Sequence, residues 1–405
     1  MEHIHPSSDG KKESEKMKIT NVRIVNVSVP FAVFGKFKPM TMWYATRYAT
    51  NHAIVFIDTD DGITGIGETW DRAASEIEAI KPKLIGLDPL QIDNITSMSI
   101  DRSRGILRGV SPTVISAIDC ALWDIMGKVT NKPLYTLLGG KVNEKVHVRY
   151  WMCEKSPKEQ AIEALKAVER GWKAFKIKIG VDPKEDIETV KAIREAVGDE
   201  IELGFDINGS YSLPTAIRTL KKMEKYNPTH IEEPVNAQDF KGHVELKKHT
   251  DIPIEFHYNG PLKLTDAMEL VNTRAMDLLH LNLMQNGGII HCNKLCAIAE
   301  AAGIPVTGQS SAAELGPGNA FNLHWITSNA SFTGTNDSST HLLEPPAEDI
   351  IKNEFRTENG CLTVPEGPGL GIKTDEAKLE KYNKIWLSKK YPVEPGIPRT
   401  NTYLW

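Results

Sequence analysis

The chain has 405 residues, of which 40% are hydrophobic and 25% charged, with a formal net charge of −5. This length suits two domains, and the composition is that of a globular protein. The acidic balance argues against nucleic acid as a partner, and no apolar run is long enough to span a bilayer. Residues 1–16 form a polar, flexible tail without the apolar core of a signal peptide, so we expect a cytoplasmic protein.

The first part of the chain alternates as strands and then becomes helical. Strand patterns cover residues 19–29, 52–58 and 63–68, and helical periodicity runs from residue 72 to 138, which together predict an α+β domain. The loop at residues 31–50 is rich in aromatic and sulfur side chains, among them Trp43. It is interpreted either as a lid that closes over a ligand or as an ordinary packed loop.

Beyond residue 145 the pattern changes to repeated units of a strand followed by a helix. Strands are predicted at residues 146–151, 174–179, 202–206, 230–232, 254–257, 278–283, 305–308 and 341–343. Seven or eight such units indicate a parallel βα barrel rather than an open sheet.

Three consecutive strands of this barrel end in residues that can bind a divalent cation. Asp206, Glu232 and His257 are separated by 26 and 25 residues, which is about one strand-helix unit each. On the preceding strand, Lys176 and Lys178 share one face, and two amines near a metal should have lowered pKa values. One of them could then act as a base. Taken singly, these residues could equally be turn, surface or packing residues.

These motifs together resemble the enolase superfamily, in particular the mandelate racemase and muconate lactonizing enzyme branch. The resemblance covers residues 17–382 and includes five segments, at residues 59–68, 173–180, 206–208, 231–234 and 283–289. It implies an α/β fold in which a capping domain (17–140) sits on a modified TIM barrel, (β/α)7β, at residues 141–360. The segment 361–405 would return to the capping domain, and the chain would assemble as a homo-oligomer, a dimer or an octamer.

The chemistry that the resemblance implies is removal of the proton α to a carboxylate, with Mg²⁺ stabilising the enediolate. Lys178 matches the base of the family, and Lys176 matches the lysine that holds the substrate carboxylate. Glu344 matches an eighth-strand acid that binds the same carboxylate. We expect a small carboxylate substrate, contacted also by Asn208, Asn282, Gln309, Tyr150 and Trp43.

The chain departs from the family at two places. The third metal ligand is normally an acid, but His257 occupies its register, and Glu255 or Asn259 could contribute instead. A histidine ligand would favour Mn²⁺ or another softer divalent ion more than an all-oxygen site does.

The second departure lies on the opposite face of the substrate pocket, where Asn282 and Gln309 stand in place of a base. One-sided proton removal favours dehydration of a hydroxy acid of the acid-sugar class. A cycloisomerase, a racemase or epimerase, and a non-catalytic carboxylate-binding descendant are the alternatives.

Overall fold

The computed structural model describes residues 16–32, 41–42, 44–97, 106–107, 109–258, 260–308, 313–345 and 347–398. These residues form an antiparallel sheet with accompanying helices, followed by a barrel of parallel strands. Within the described ranges, no helix is both long enough and apolar enough to cross a membrane.

The first domain combines a three-stranded meander with a helical layer. Its strands are β1 (Ile19–Pro30), β2 (Ala49–Thr59) and β3 (Thr64–Trp70). Its helices are α1 (Ala74–Leu84), α2 (Ile92–Thr96), α3 (Pro112–Thr130) and α4 (Leu134–Leu137). Helix α3 lies so close to β3 that a Cβ atom on Gly67 would be 2.0 Å from the carbonyl oxygen of Ala117. Glycine at this position therefore sets the distance between the sheet and the helix.

The second domain alternates strand and helix as the sequence pattern predicts. Its strands are β4 (Val146–Met152), β5 (Ala174–Lys178), β6 (Glu202–Asp206), β7 (His230–Glu232), β8 (Ile254–His257), β9 (Leu278–Leu281), β10 (Val306–Gly308) and β11 (Asn336–Ser338). The intervening helices are α5 (Pro157–Glu169), α6 (Pro183–Val197), α7 (Leu213–Met223), α8 (Phe240–Leu246), α9 (Leu264–Thr273), α10 (Ile289–Ala301) and α11 (Gly316–Thr327). Each strand pairs in parallel with the next along the chain from β4 to β10, which gives the (β/α)7β arrangement.

The ring closes through β11, which runs parallel to β4. On the other side, Val306 N donates to Ser331 O at 3.1 Å, and Gly308 N donates to the side chain of Asn336 at 2.8 Å. The strand predicted at residues 341–343 is wrong, because Thr340–Leu343 forms a 3-10 turn after the true eighth strand. Asn336–Ser338 is polar throughout and so lacks the apolar signal of a buried strand.

The chain after the barrel makes contacts with both domains. Strand β12 (Cys361–Leu362) pairs antiparallel with β4 of the barrel. Helix α12 (Glu376–Leu387) then packs on β1 of the first domain, where the amide of Asn383 donates to Asn26 O at 2.7 Å. Residues 391–398, which we call the C-terminal strap, continue toward the loop between β1 and β2.

Two buried carboxylates of the first domain bind the amino ends of barrel helices. Glu68 accepts hydrogen bonds from Leu315 N at 2.7 Å and Gly318 N at 2.8 Å, at the start of α11. Asp119 accepts from Ile289 N at 2.8 Å, at the start of α10. Both contacts supply a buried acceptor to the first N–H groups of a barrel helix, so they stabilise the contact between the domains.

Candidate active site

Side chains alternate in direction along β4 and β5, and three charged residues of these strands face the barrel interior. Arg149 on β4 and both Lys176 and Lys178 on β5 make ion pairs or hydrogen bonds with residues of other strands across the interior. All three are buried. Successive strand residues point to opposite faces, so these three share the inner face.

Lys178 lies at the carboxyl end of β5. Its Nζ atom contacts Asp206 Oδ2 and donates to Asn208 Oδ1 at 2.9 Å. Asn208 has a positive φ of 49°, and its backbone N–H donates to Asp206 Oδ1 at 2.9 Å. The predicted residues Lys178, Asp206 and Asn208 are therefore in direct contact.

Lys176 lies two residues before Lys178 on the same face of β5, so it is deeper in the barrel, and it is surrounded by carboxylates. Its Nζ atom is 2.5 Å from Glu232 Oε2, 2.6 Å from Asp337 Oδ2 and 3.3 Å from Asp206 Oδ2. Asp337, on β11, was missed by the sequence analysis. The signal that could have identified it was an acid 29 residues after the end of β10, inside the segment 333–340, which has no apolar residues.

The lysine pKa values differ from the prediction. Burial acts to lower the pKa of Lys178, but the Asp206 carboxylate, together with Tyr44 and Glu232, raises the value above its usual level. Burial likewise opposes the charge of Lys176, but Asp337, Glu232 and Asp206 raise its pKa well above the ordinary value. The amines repel each other as predicted, yet the neighbouring carboxylates dominate.

A layer of charged residues below the lysines is fully paired. Arg149 binds both oxygens of Glu255, with Nη1–Oε2 at 3.0 Å, and also reaches Asp337 at 3.2 Å. Thr307 donates to Glu255 Oε1 at 2.6 Å, and His230 Nε2 lies 3.1 Å from its Oε2. Because its oxygens are used by these partners, Glu255 is not available as the alternative third metal ligand.

His257 offers a lone pair toward acidic oxygens. Its Nε2 atom is 2.9 Å from the Gln285 carbonyl oxygen and must carry the ring proton, because burial lowers the pKa of the imidazole to about 3. The unprotonated Nδ1 then lies 3.5 Å from Glu232 Oε1 and 3.8 Å from Glu233 Oε1. Neither Nδ1 nor Glu232 Oε1 has a hydrogen-bond partner among the described residues. Two acceptors that face each other in a buried site fit a shared cation.

The charge balance agrees with this interpretation. Five buried carboxylates belong to the cluster, namely Asp206, Glu232, Glu233, Glu255 and Asp337, against the three cations Arg149, Lys176 and Lys178. The excess of two negative charges equals the charge of one divalent ion. Burial, reinforced by the nearby Asp206, raises the pKa of both Glu232 and Glu233 well above the usual value. A cation would keep these groups ionised, so the donor set suits a divalent metal.

A second set of potential ligands lies deeper. Ligand atoms of Glu232, His280 and Asp337 are all within 4.8 Å of one another. The ammonium of Lys176 already lies against two of these three residues, and His280 Nε2 is 3.0 Å from Asp337. Glu232 belongs to both sets, and its Oε1 atom and His257 Nδ1 are the facing acceptors between which a cation at the strand ends would lie.

Two predicted residues are not brought to this cluster. Glu344 pairs with Arg170 at 3.2 Å and accepts from Thr357 N at 3.3 Å, because it follows the 3-10 turn instead of ending the eighth strand. Tyr150 is buried toward α5, with its hydroxyl 3.4 Å from Glu163. Since neighbouring Arg149 faces the interior, alternation sends Tyr150 to the outer face.

The remaining predicted residues have other positions. Asn282 is buried and its side-chain oxygen accepts from Gln285 N at 2.8 Å, so it supports the turn after β9. Gln309, Trp43 and Asn259 lie outside the described residues.

Comparison with known proteins gives matches along most of the chain. The family model for the mandelate racemase / muconate lactonizing enzyme N-terminal domain matches residues 22–139, and the enolase C-terminal domain-like model matches residues 159–378. The relatives include both isomerases and dehydratases.

Three relatives illustrate this range. N-succinyl-L-Arg/Lys racemase of Bacillus cereus is 29% identical over 382 residues, covering 90% of this chain and 98% of the relative. Arabinonate dehydratase of Saccharolobus solfataricus is 32% identical over 344 residues, covering 80% of this chain and 89% of the relative. A dipeptide epimerase from Cytophaga hutchinsonii has a similar structure, which was solved as a complex with Mg and the dipeptide D-Ala-L-Val. It matches with a TM-score of 0.81 at 26% identity, covering 90% of this chain and 98% of the epimerase chain.

Proposed function

The chain belongs to the mandelate racemase and muconate lactonizing enzyme branch of the enolase superfamily, and on that premise we propose that it dehydrates a hydroxy acid of the acid-sugar class. Lys178 removes the α-proton, and the carboxylate-rich strand ends hold a divalent metal, Mg²⁺ or Mn²⁺. When bound, this metal supplies positive charge that stabilises the enediolate.

The observation that carries this proposal is the different setting of the two lysines. Lys178 lies at the strand end beside Asp206 and Asn208, whereas Lys176 is held below it by Glu232 and Asp337. Lys176 is thus suited to remain a fixed positive charge near the substrate carboxylate. Lys178 has fewer anionic partners and is the better base, provided that the charge of Asp206 is shared with a cation.

Dehydration is favoured over racemisation because proton transfer on one face is enough for it. A racemase needs a second proton-transfer group on the opposite face, and Asn282 is a neutral amide engaged in its own turn. The second candidate is a racemase or epimerase, which the succinyl-amino-acid racemase and the dipeptide epimerase among the relatives support. A cycloisomerase also needs only one base.

The test is a screen of acid sugars and N-acylated amino acids in D₂O with Mg²⁺ or Mn²⁺, read by product mass. Loss of one water supports dehydration, and deuterium gain without loss of water supports the isomerase class. Lys178→Ala should abolish both signals while keeping the native fold. Lys173→Ala, at an exposed lysine before the same strand, is the matched control and should retain activity. Normal turnover by Lys178→Ala would refute the assignment, and no exchange by the parent protein with any acid would favour the non-catalytic alternative.

A further inference from the structure

A cavity of about 170 Å³ lies beside Lys178, between the ends of the first two barrel units. Its walls include Glu154 and Lys155 after β4, Gln160 on α5, and Ile397 of the C-terminal strap. Cavities of about 150 Å³ hold a six-membered ring, so this one has room for a chain of several carbon atoms. It adjoins the proposed base, but the strand-end residues that bind cation and carboxylate lie elsewhere.

Gln160 provides a hydrogen-bond acceptor that the protein does not use. The side chain is 1% exposed, and its Nε2 atom donates to the backbone oxygen of Lys178 at 3.4 Å. Its Oε1 atom has no hydrogen-bond partner among the described residues. A buried acceptor left without a donor destabilises the protein, and a ligand hydroxyl or amine in the cavity would satisfy it.

The C-terminal strap closes the cavity on the side facing the loop between β1 and β2. Thr46 and Glu394 exchange two backbone hydrogen bonds of 2.9 Å, and Ile397 N donates to Met42 O at 3.2 Å. The same loop is tied to the barrel, since Glu154 N donates to Thr41 O at 3.0 Å. The strap is therefore anchored to the loop in the position that brings Ile397 to the cavity wall.

We propose that this cavity receives the hydroxyl-bearing end of the substrate, remote from its carboxylate, and that Gln160 and Ile397 set the accepted chain length. This inference rests on the proposed function and extends it to substrate length. The walls contain three carboxylates, two amines and an amide, which suit hydroxyl groups because these both donate and accept hydrogen bonds. An apolar tail would leave Gln160 Oε1 without a partner.

The experiment uses the full chain with Mg²⁺ and aldonic acids of three to six carbons: glycerate, threonate, arabinonate and gluconate. Two measurements are made, affinity by calorimetry and α-proton exchange in D₂O. Ile397→Trp fills the cavity and should weaken binding of the five- and six-carbon acids at least tenfold more than that of glycerate. Gln160→Leu removes the acceptor and should weaken the longer acids about tenfold, the cost of one hydrogen bond. Val393→Trp, at an exposed position of the strap, is the matched control.

The outcomes separate the inference from the function on which it rests. Length-dependent binding that Ile397→Trp suppresses supports the inference even if no proton is exchanged, in which case the proposed reaction fails alone. Equal effects of Ile397→Trp on all four acids, or no effect on any, overturn the inference. Failure of the parent protein to bind any of these acids also overturns it. Thermal unfolding of each variant identifies loss of fold, and Gln160→Glu, which keeps an acceptor, should bind longer acids better than Gln160→Leu.

Discussion

Lys176 Nζ and Asp337 Oδ2 lie 2.6 Å apart and join the second barrel strand to the eighth. Asp337 Oδ1 also accepts a hydrogen bond from Arg149 Nη1 at 3.2 Å, so one carboxylate connects Lys176 to the charged layer below it. The pair holds Lys176 as a permanent cation. This separates its role from that of Lys178, although only one residue lies between them in the sequence.

Asp337→Asn should lower both stability and activity. Removing one partner of a buried ion pair leaves charge uncompensated, so we expect the free energy of unfolding to fall by about 3 kcal/mol. Urea unfolding measures this, and α-proton exchange should slow because Lys176 is no longer held in place. Asp58→Asn breaks the largely exposed pair with Arg23 and is the control, with an expected loss below about 1 kcal/mol. Equal losses in both variants would contradict the buried-pair argument.

Divalent-metal binding should depend on Glu232 and His257. Glu232→Gln removes an ionised ligand and His257→Ala removes the lone pair of Nδ1. Each should weaken Mn²⁺ binding by more than the roughly 10–100-fold that loss of an outer-shell partner costs. Calorimetry with Mn²⁺ alone gives the affinity without any substrate. His249→Ala, at an exposed histidine, should bind like the parent protein. Unchanged metal content in His257→Ala after dialysis would rule out its role as a ligand.

The contact between the domains should be sensitive to pH through Asp119. Burial raises the pKa of this carboxyl to about 7 in the folded protein, against about 3.9 in an unfolded chain. The folded state therefore binds a proton that the unfolded state has lost. The resulting stability is fully present below about pH 4 and is lost as the pH rises through about 7.

The measurement is urea unfolding of the parent protein and Asp119→Asn at several pH values. Between about pH 5 and 7 the parent protein should lose about 3 kcal/mol relative to the uncharged variant, at about 1.4 kcal/mol per pH unit. Asp61→Asn, at an exposed turn, should follow the parent protein. A constant difference between parent and Asp119→Asn over this range would show that Asp119 is already ionised at about pH 5.

Gly67→Ala should disrupt the first domain. The added Cβ would lie 2.0 Å from Ala117 O, so β3 or α3 must move, at a cost of about 1–3 kcal/mol or more. Thermal unfolding of purified protein measures this. Gly334→Ala places a Cβ with no heavy atom within 4 Å, and its effect should stay within about 0.5 kcal/mol. A small effect of Gly67→Ala on thermal unfolding would mean that β3 and α3 can move apart with little loss of stability.

Most of the barrel could be predicted from the sequence because its signals are local. Apolar strand residues and amphipathic helices repeat at a fixed length, and that register alone places Asp206 and Glu232 on neighbouring strands. Lys178, Asp206 and Asn208 meet in the structure as their strand ends require.

The errors have physical causes that a sequence pattern does not carry. The eighth strand is short and polar because its side chains join an ionic network. The sequence pattern therefore places the strand on the apolar residues that follow and puts Glu344 at its end, which is wrong. The direction of the Tyr150 side chain depends on which residues of β4 face the barrel interior. The contact of Arg149 with Glu255 establishes this, and the sequence pattern alone does not. The raised pKa of Lys176 depends on Asp337, a residue more than 150 positions away.

The contacts of Glu68 and Asp119 with barrel helices have a consequence for how the chain unfolds. If the first domain were removed, α10 and α11 would lose the acceptors of their first N–H groups, and the barrel would expose the surface that now covers them. If the barrel were removed, two buried carboxylates would lose the backbone N–H donors that the barrel supplies. Neither half is a self-sufficient folding unit, so we expect one cooperative unfolding transition and no stable fragment after limited proteolysis between them.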